Sequence, residues 1–212
     1  MADTEPIILA ASLWQDNGML INDVFKLLAH HLPANPNVID LTYGTAGVWW
    51  KHSTIRPTVF TGDFTNPSPH YRQLFANTHD VTTFDGPYAL VGGAPKGQDP
   101  KFAQAHMEFR RRYGIDPPRT IGDLTTMLQA GAGTAVAFTK PKGFILTKSM
   151  PFVTSGKVHW IPDMFNTWMT ELGCTKHDEL IFLRKRGGPQ PVHNRQLTAR
   201  RNYSVLQVWR KK

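Results

Sequence analysis

Three acids constrain this chain more than any other feature. Asp40, Asp63 and Asp85 each stand at or just after the end of a short strand-like run, with glycine close by in sequence. The runs are Val38-Ile39-Asp40-Leu41-Thr42, Thr58-Val59-Phe60-Thr61-Gly62-Asp63 and Val81-Thr82-Thr83-Phe84 before Asp85. Connections of helix length separate them, which predicts an α/β fold with a parallel sheet. In an open parallel sheet, ligands bind beyond the carboxyl ends of the strands, where these acids fall. The Gly-rich turn Tyr43-Gly44-Thr45-Ala46-Gly47 follows the first run and lets a ligand approach the backbone closely. No Gly-Lys-Ser/Thr follows it, so it is not a phosphate loop.

The remaining pattern fills in the frame. Ile21 to His31 carries Val24, Phe25, Leu27 and Leu28 at helical spacing and ends before Pro33. Leu90 to Pro100 is rich in Gly and Pro and predicts a loop. Phe102 to Tyr113 predicts a helix whose C-terminal end carries Arg110, Arg111 and Arg112, where cations suit the helix dipole. Thr120 to Gln129 predicts a second helix, with Thr120 and Asp123 in capping-box positions. Ala135 to Thr139 predicts a strand, and Pro162 to Leu172 a helix stopped by Gly173. Glu179 to Arg184 and Tyr203 to Trp209 predict a terminal antiparallel pair, joined by a long basic connection from Lys185 to Asn202. No internal repeat is seen, and the 212 residues predict a single domain, 1–212.

Composition removes other classes. No stretch nears the roughly 18 apolar residues that span a bilayer, so no membrane association is expected. The acidic N-terminus lacks a secretory layout, and a cytoplasmic location is expected. Cys174 is the only cysteine, so neither an internal disulfide nor a multi-cysteine zinc site can form. Cys174 is expected to be a small buried hydrophobe. Histidine pairs such as His30-His31 lack partners at ligand spacing, so no metal is expected. Trp49-Trp50 is expected to pack in the core. Charge is divided unevenly. Residues 1–100 hold five Lys/Arg against nine Asp/Glu, and residues 101–212 hold nineteen against seven. The first half is thus suited to a small ligand and the second to a polyanion.

The ordered combination resembles the class I S-adenosylmethionine-dependent methyltransferases, and within them the DNA amino-methyltransferases common in phages. Asp40-Leu41-Thr42-Tyr43-Gly44-Thr45-Ala46-Gly47 is similar to the family's first motif. Asp63 matches the acid that binds the cofactor ribose, and Asp85-Gly86-Pro87-Tyr88 the catalytic Asp-Pro-Pro-Tyr tetrapeptide. The resemblance implies a Rossmann-like, mostly parallel seven-stranded sheet with a C-terminal antiparallel hairpin. It implies S-adenosyl-L-methionine as cofactor, held by Asp40, Thr42, Tyr43, Gly44, Gly47, Asp63 and Asp85. It also implies double-stranded DNA as partner, with a base flipped against Asp85, Gly86, Pro87 and Tyr88. Adenine N6 is favoured over cytosine N4. Residues 92–135 are the expected target-recognition region, and the short chain predicts a short or relaxed target sequence. Lys96, Arg110, Arg111, Arg112, Arg186, Arg195, Arg200 and Arg201 are the expected phosphate contacts, with Lys140, Lys142, Arg184 and Lys185 beside them.

Two positions depart from the family. Ala46 stands where a second glycine is frequent, and Gly86 replaces the first proline of the tetrapeptide. Glycine there is expected to free a carbonyl that proline would hold, leaving the site less preorganised. Two alternatives follow: an RNA methyltransferase of the same fold, and a non-catalytic scaffold that binds the cofactor or DNA. The oligomeric state is not legible.

Overall fold

The computed structural model describes residues 14–44, 47, 49–87, 100–154, 156–183 and 202–212. Its centre is a six-stranded sheet built from β1 (Val38–Asp40), β2 (Thr58–Val59), β3 (His79–Phe84), β4 (Thr139–Ser149), β7 (Cys174–Leu183) and β8 (Tyr203–Lys211). The strands lie in the order β2-β1-β3-β4-β8-β7. Strands β2, β1, β3 and β4 run parallel, and β8 is antiparallel to both β4 and β7. This is the α/β, Rossmann-like arrangement expected, with the antiparallel pair last. The strand count differs from the seven expected. After β2 the chain turns at Gly62 and Asp63, passes Pro67 and forms the short helix α2 (Pro69–Phe75), so β2 remains the sheet edge. Strands β5 (Phe152–Thr154) and β6 (Lys157–His159) form a separate two-stranded ribbon that the sequence did not announce.

Strand side chains alternate between two cores. Ile39, Ile145 and Trp209 pack with α4 (Ile121–Phe138) and α5 (Ile161–Glu171) on one face. Val38, Leu146 and Val208 pack with α1 (Asn17–Leu27) and with Trp49 and Trp50 on the other. Trp209 is 1% exposed, and its indole Nε1 donates to Thr147 Oγ1 at 2.9 Å, so the buried N–H keeps a partner. Cys174 is buried, as expected, and burial pushes its thiol upward. No helix among the described residues is long and apolar enough to cross a membrane.

Several boundaries moved. Helix α1 begins at Asn17 because Asp16 caps it, accepting from the Met19 amide at 2.9 Å. Strand β2 is two residues long, although Phe60 N still donates to Asp40 O at 3.0 Å. The expected strand over 135–139 is the last turn of α4, which starts at the predicted Thr120–Asp123 capping box and runs to Phe138. Leu124, Leu128, Ala132, Ala135 and Phe138 recur at helical spacing on its buried face. The strand begins only at Thr139 and extends through Phe144-Ile145-Leu146, a run not read as a strand. Helix α5 ends as expected before Gly173, whose φ is +82°.

Helix α4 lies unusually close to the sheet at Gly131. A Cβ there would stand 2.2 Å from Phe84 Cζ, and Phe84 is fully buried. Alanine gains about 1 kcal/mol of helix propensity over glycine, but overpacking a closed core costs about 1–3 kcal/mol. Gly131→Ala is therefore expected to lower the urea unfolding midpoint, and Phe84→Leu in the same chain to return part of the loss.

Candidate active site

The ends of β1, β3 and β4 lie side by side. The register sets Asp40 beside Thr83 and Phe84 beside Thr147, which brings Asp85 next to Lys148. The turn after β1 closes over these ends. Asp40 Oδ1 accepts from Thr42 N at 2.8 Å and from Thr42 Oγ1 at 3.3 Å, and Oδ2 accepts from Trp50 Nε1 at 2.6 Å. Thr42 Oγ1 in turn accepts from the Asp85 amide at 2.8 Å. Trp49 Nε1 donates to Asp85 Oδ2 at 2.8 Å, and Lys148 Nζ stands 4.0 Å from the same oxygen. Two adjacent indoles thus bind two acids from neighbouring strands. The tryptophans are core residues, as expected, and they also carry polar bonds that no local pattern revealed.

Asp40 is buried, and that burial raises its carboxyl from 3.8 to about 6. The bonds from Trp50 and Thr42 oppose the rise, while the charge of Asp85 adds to it. Tyr113, just beyond the three arginines, completes the surroundings. Burial pushes its phenol up to about 12, Arg112 opposes, and the charges of Asp85 and Asp40 contribute. Its ring packs on Phe109 at 4.8 Å and on Phe64 at 6.5 Å between centroids. Tyr113 and Lys148 were not anticipated. Lys148 had one local signal, a cation within the apolar run of β4.

Glycine in the turn has a steric cause. Gly44 has φ of +60°, and a Cβ there would meet Arg112 Cγ at 3.0 Å. Gly47, at φ +49°, lies under Tyr43, whose hydroxyl would stand 2.7 Å from an added Cβ. Thr45, Ala46 and Val48 lie outside the described residues. Asp63 is half-buried and folds its own turn. Its Oδ1 accepts from Thr65 N at 2.7 Å, Thr65 Oγ1 at 2.6 Å and Asn66 N at 3.3 Å. The neighbouring Phe64 links that turn to Phe84 and Tyr113.

Gly86 is tightly enclosed rather than free. An added Cβ would stand 2.4 Å from Leu128 Cδ2 and 2.9 Å from Phe84 Cζ. The close approach of α4 that Gly131 permits also excludes a larger residue here. Glycine at residue 86 therefore has a steric cause, because Leu128 and Phe84 occupy the space that a side chain would need. Pro87 is buried, and Tyr88 lies outside the described residues, as do Lys96, Arg184, Lys185, Arg186, Arg195, Arg200 and Arg201.

Among the arginines of α3 (Pro100–Tyr113), Arg110 pairs with Asp116 and Arg111 with Glu108, both on the surface. Arg112 places its guanidinium 5.2 Å from the Tyr113 ring centroid and its stem over Gly44. Arg112 therefore borders the candidate site, whereas its two neighbours face acids. Lys140 pairs with Asp80 at 2.7 Å, and Lys142 adopts φ of +65° in the β4 turn.

No family model matches the chain, and no curated protein matches it. Solved structures do. A candidate DNA modification methylase of Thermus thermophilus, complexed with S-adenosyl-L-methionine, is 10% identical with a TM-score of 0.43, covering 82% of this chain and 55% of that one. This chain thus spans about half the length of the Thermus protein. A methyltransferase candidate of Bacillus halodurans is 11% identical with a TM-score of 0.47, covering 89% and 98%. A SAM-dependent methyltransferase of Archaeoglobus fulgidus is 11% identical with a TM-score of 0.45, covering 92% and 94%.

Two measurements test the site. Folded Asp40 keeps its proton up to about pH 6, whereas the unfolded chain releases it near 3.8. The folded state therefore binds more protons across that window, so stability is greatest on its acid side and falls as pH rises through it. The loss is on the order of 3 kcal/mol. Asp40→Asn is expected to flatten that segment of the stability-versus-pH curve in urea titrations. Gly86→Pro is expected to destabilise by about 1–3 kcal/mol, because its ring would meet Leu128 and Phe84. Combined with Leu128→Ala, its cost should shrink, which a double-mutant cycle measures.

Proposed function

We propose that the chain transfers a methyl group from S-adenosyl-L-methionine to the exocyclic amino group of a DNA base, adenine N6 in preference to cytosine N4. The observation that carries this reading is the joint holding of Asp85 by Thr42 and Trp49 from the turn after β1. It couples a Gly-rich turn to a buried acid followed by Gly86 and Pro87, at the carboxyl ends of neighbouring parallel strands. The donor set suits the cofactor. Asp40 and Asp85 supply negative charge beside a cationic amino acid and sulfonium, and Asp63 supplies an acceptor for a ribose diol. Tyr43, Gly44 and Gly47 form the wall of the turn. When bound, the cofactor supplies an electrophilic methyl group.

The chain's own residues prepare the nucleophile. An amine conjugated to a base ring attacks poorly because its lone pair is delocalised. Asp85 and the Gly86 carbonyl accept hydrogen bonds from its N–H groups, favouring a more tetrahedral nitrogen and stabilising the charge that develops there. Tyr88 stacks on the base after it leaves the duplex. Arg112 at the rim, with Lys96, Arg186, Arg195, Arg200, Arg201 and the surface pair Arg110 and Arg111, meets the phosphates. Their number predicts that log K falls with log salt by roughly 0.9 per contact made. Residues 92–135, which include α3 and most of α4, are assigned to target recognition.

Incubation with tritiated S-adenosylmethionine and unmethylated genomic DNA tests the reading. Label in DNA is expected, with a loss of about 100-fold or more in Asp85→Ala. Nucleoside digestion then names the base. Label in RNA alone would move the substrate class, and cofactor binding without transfer to either would leave a binding scaffold.

A further inference from the structure

Lys148 occupies an unusual position for a cation. Strand β4 alternates its side chains, so Leu146 and Lys148 face α1 while Ile145 and Thr147 face α4 and α5. An apolar residue is the ordinary occupant of such a position, and Lys148 is 4% exposed. Its ammonium lies 5.6 Å from the ring centroids of both Trp49 and Phe182. On the side of α1 it meets Asn17, Leu20 and Ile21, which carry no charge. Its ion-pair partner is Asp85, 4.0 Å away, on the oxygen that also accepts from the Trp49 indole. A buried ammonium costs several kcal/mol in desolvation, so an ion pair in this place calls for a reason beyond stability.

We infer that Lys148 is a positioning residue that, with Trp49, fixes the orientation and the charge of the Asp85 carboxylate. This rests on Asp85 being the group that faces the substrate amine. Two buried acids from adjacent strands repel one another, and the ammonium beside Asp85 offsets that repulsion. Asp40 receives its bonds from a neutral indole, a neutral hydroxyl and an amide. An indole and an ammonium together pin the carboxylate at Oδ2, and this sets the direction of its other oxygen. Lys148 touches Asp85, and its effect on the reaction passes through that side chain.

The test reads the Trp49 indole directly. In the full chain labelled with nitrogen-15, its Nε1–H resonance is identified by its absence in Trp49→Phe and followed through a pH titration. Among the described residues, the ionisable groups near Asp85 include Asp40 from β1, Tyr113 and Arg112 from the end of α3, and Lys148 from β4. Asp85→Asn separates the response of Asp85 from theirs. The indole signal is expected to carry an inflection that Asp85→Asn removes. In Lys148→Met that inflection moves to higher pH by about one unit or more, as expected when a buried carboxylate loses its cation. In Lys148→Arg it stays near its original place. Should Lys148→Met not fold, Lys148→Gln carries the same measurement. An inflection unchanged by loss of the cation, or absent from the original protein, overturns the proposal.

The same variants assayed for methyl transfer are expected to lose about 10-fold or more in kcat. KM for the cofactor should change little, and the acid limb of the rate profile should move upward with the indole inflection. The two readings fail separately. A shifted inflection in a protein that methylates nothing keeps the role of Lys148 and removes methyl transfer. Methyl transfer with an unmoved inflection does the reverse.

Discussion

The structure depends on two hydrogen bonds from adjacent indoles, Trp50 to Asp40 and Trp49 to Asp85. Each bond gives a buried carboxylate a donor, which lowers the cost of burying it. The bonds also have a geometric effect. Residues 49 and 50 follow the Gly-rich turn, so the two indoles tie the chain after that turn to the end of β1 and to the segment after β3. Thr42 adds a third tie by accepting from the Asp85 amide while donating to Asp40.

A second constraint comes from the opposite face. Helix α4 approaches the sheet so closely that Gly131 and Gly86 both lie where a Cβ would strike Phe84 or Leu128. The glycine in the tetrapeptide is thus part of the same packing as the glycine in the helix. One is legible only when the other is seen. Glycine at residue 86 and the proximity of α4 are a matched pair, because Leu128 and Phe84 fill the space that a side chain would need.

Much of this fold was legible in the sequence, and the exceptions share a cause. The strand ends at Asp40 and Asp85, the capping box at Thr120 and Asp123, the stop at Gly173 and the terminal antiparallel pair all rest on signals within a few residues. What was missed depends on residues far apart in the chain. The last turns of α4 read as strand because Val136 and Phe138 favour β structure, yet their burial against β3 and β4 keeps them helical. Among the described residues the sheet has six strands, and the chain after β2 enters α2 rather than a further strand beyond that edge. At the site, the acids were visible and their partners were not, since Trp49, Lys148 and Tyr113 reach Asp85 from three different segments. The basic residues of the 184–201 connection and the loop bearing Tyr88 and Lys96 lie outside the described residues.

The partners matter more for chemistry than the acids themselves. Asp40 and Asp85 are both buried acids at the ends of adjacent strands, and by residue type they are interchangeable. Among the described residues, an ammonium stands beside Asp85 and none is paired with Asp40. Asp40 has neutral donors, and burial moves its carboxyl up to about 6. Asp85 shares an oxygen with Lys148 and an indole. Removing the cation would leave a buried charge without its partner, a change that costs about 3–5 kcal/mol in comparable pairs. The protein therefore distinguishes two chemically identical groups by a single strand residue pointing to the α1 face. One acid bonds within the turn after β1, and the other joins that turn to β3 and β4. That division of labour is a property of side-chain alternation on β4, where a shift by one residue would send the ammonium to the opposite core.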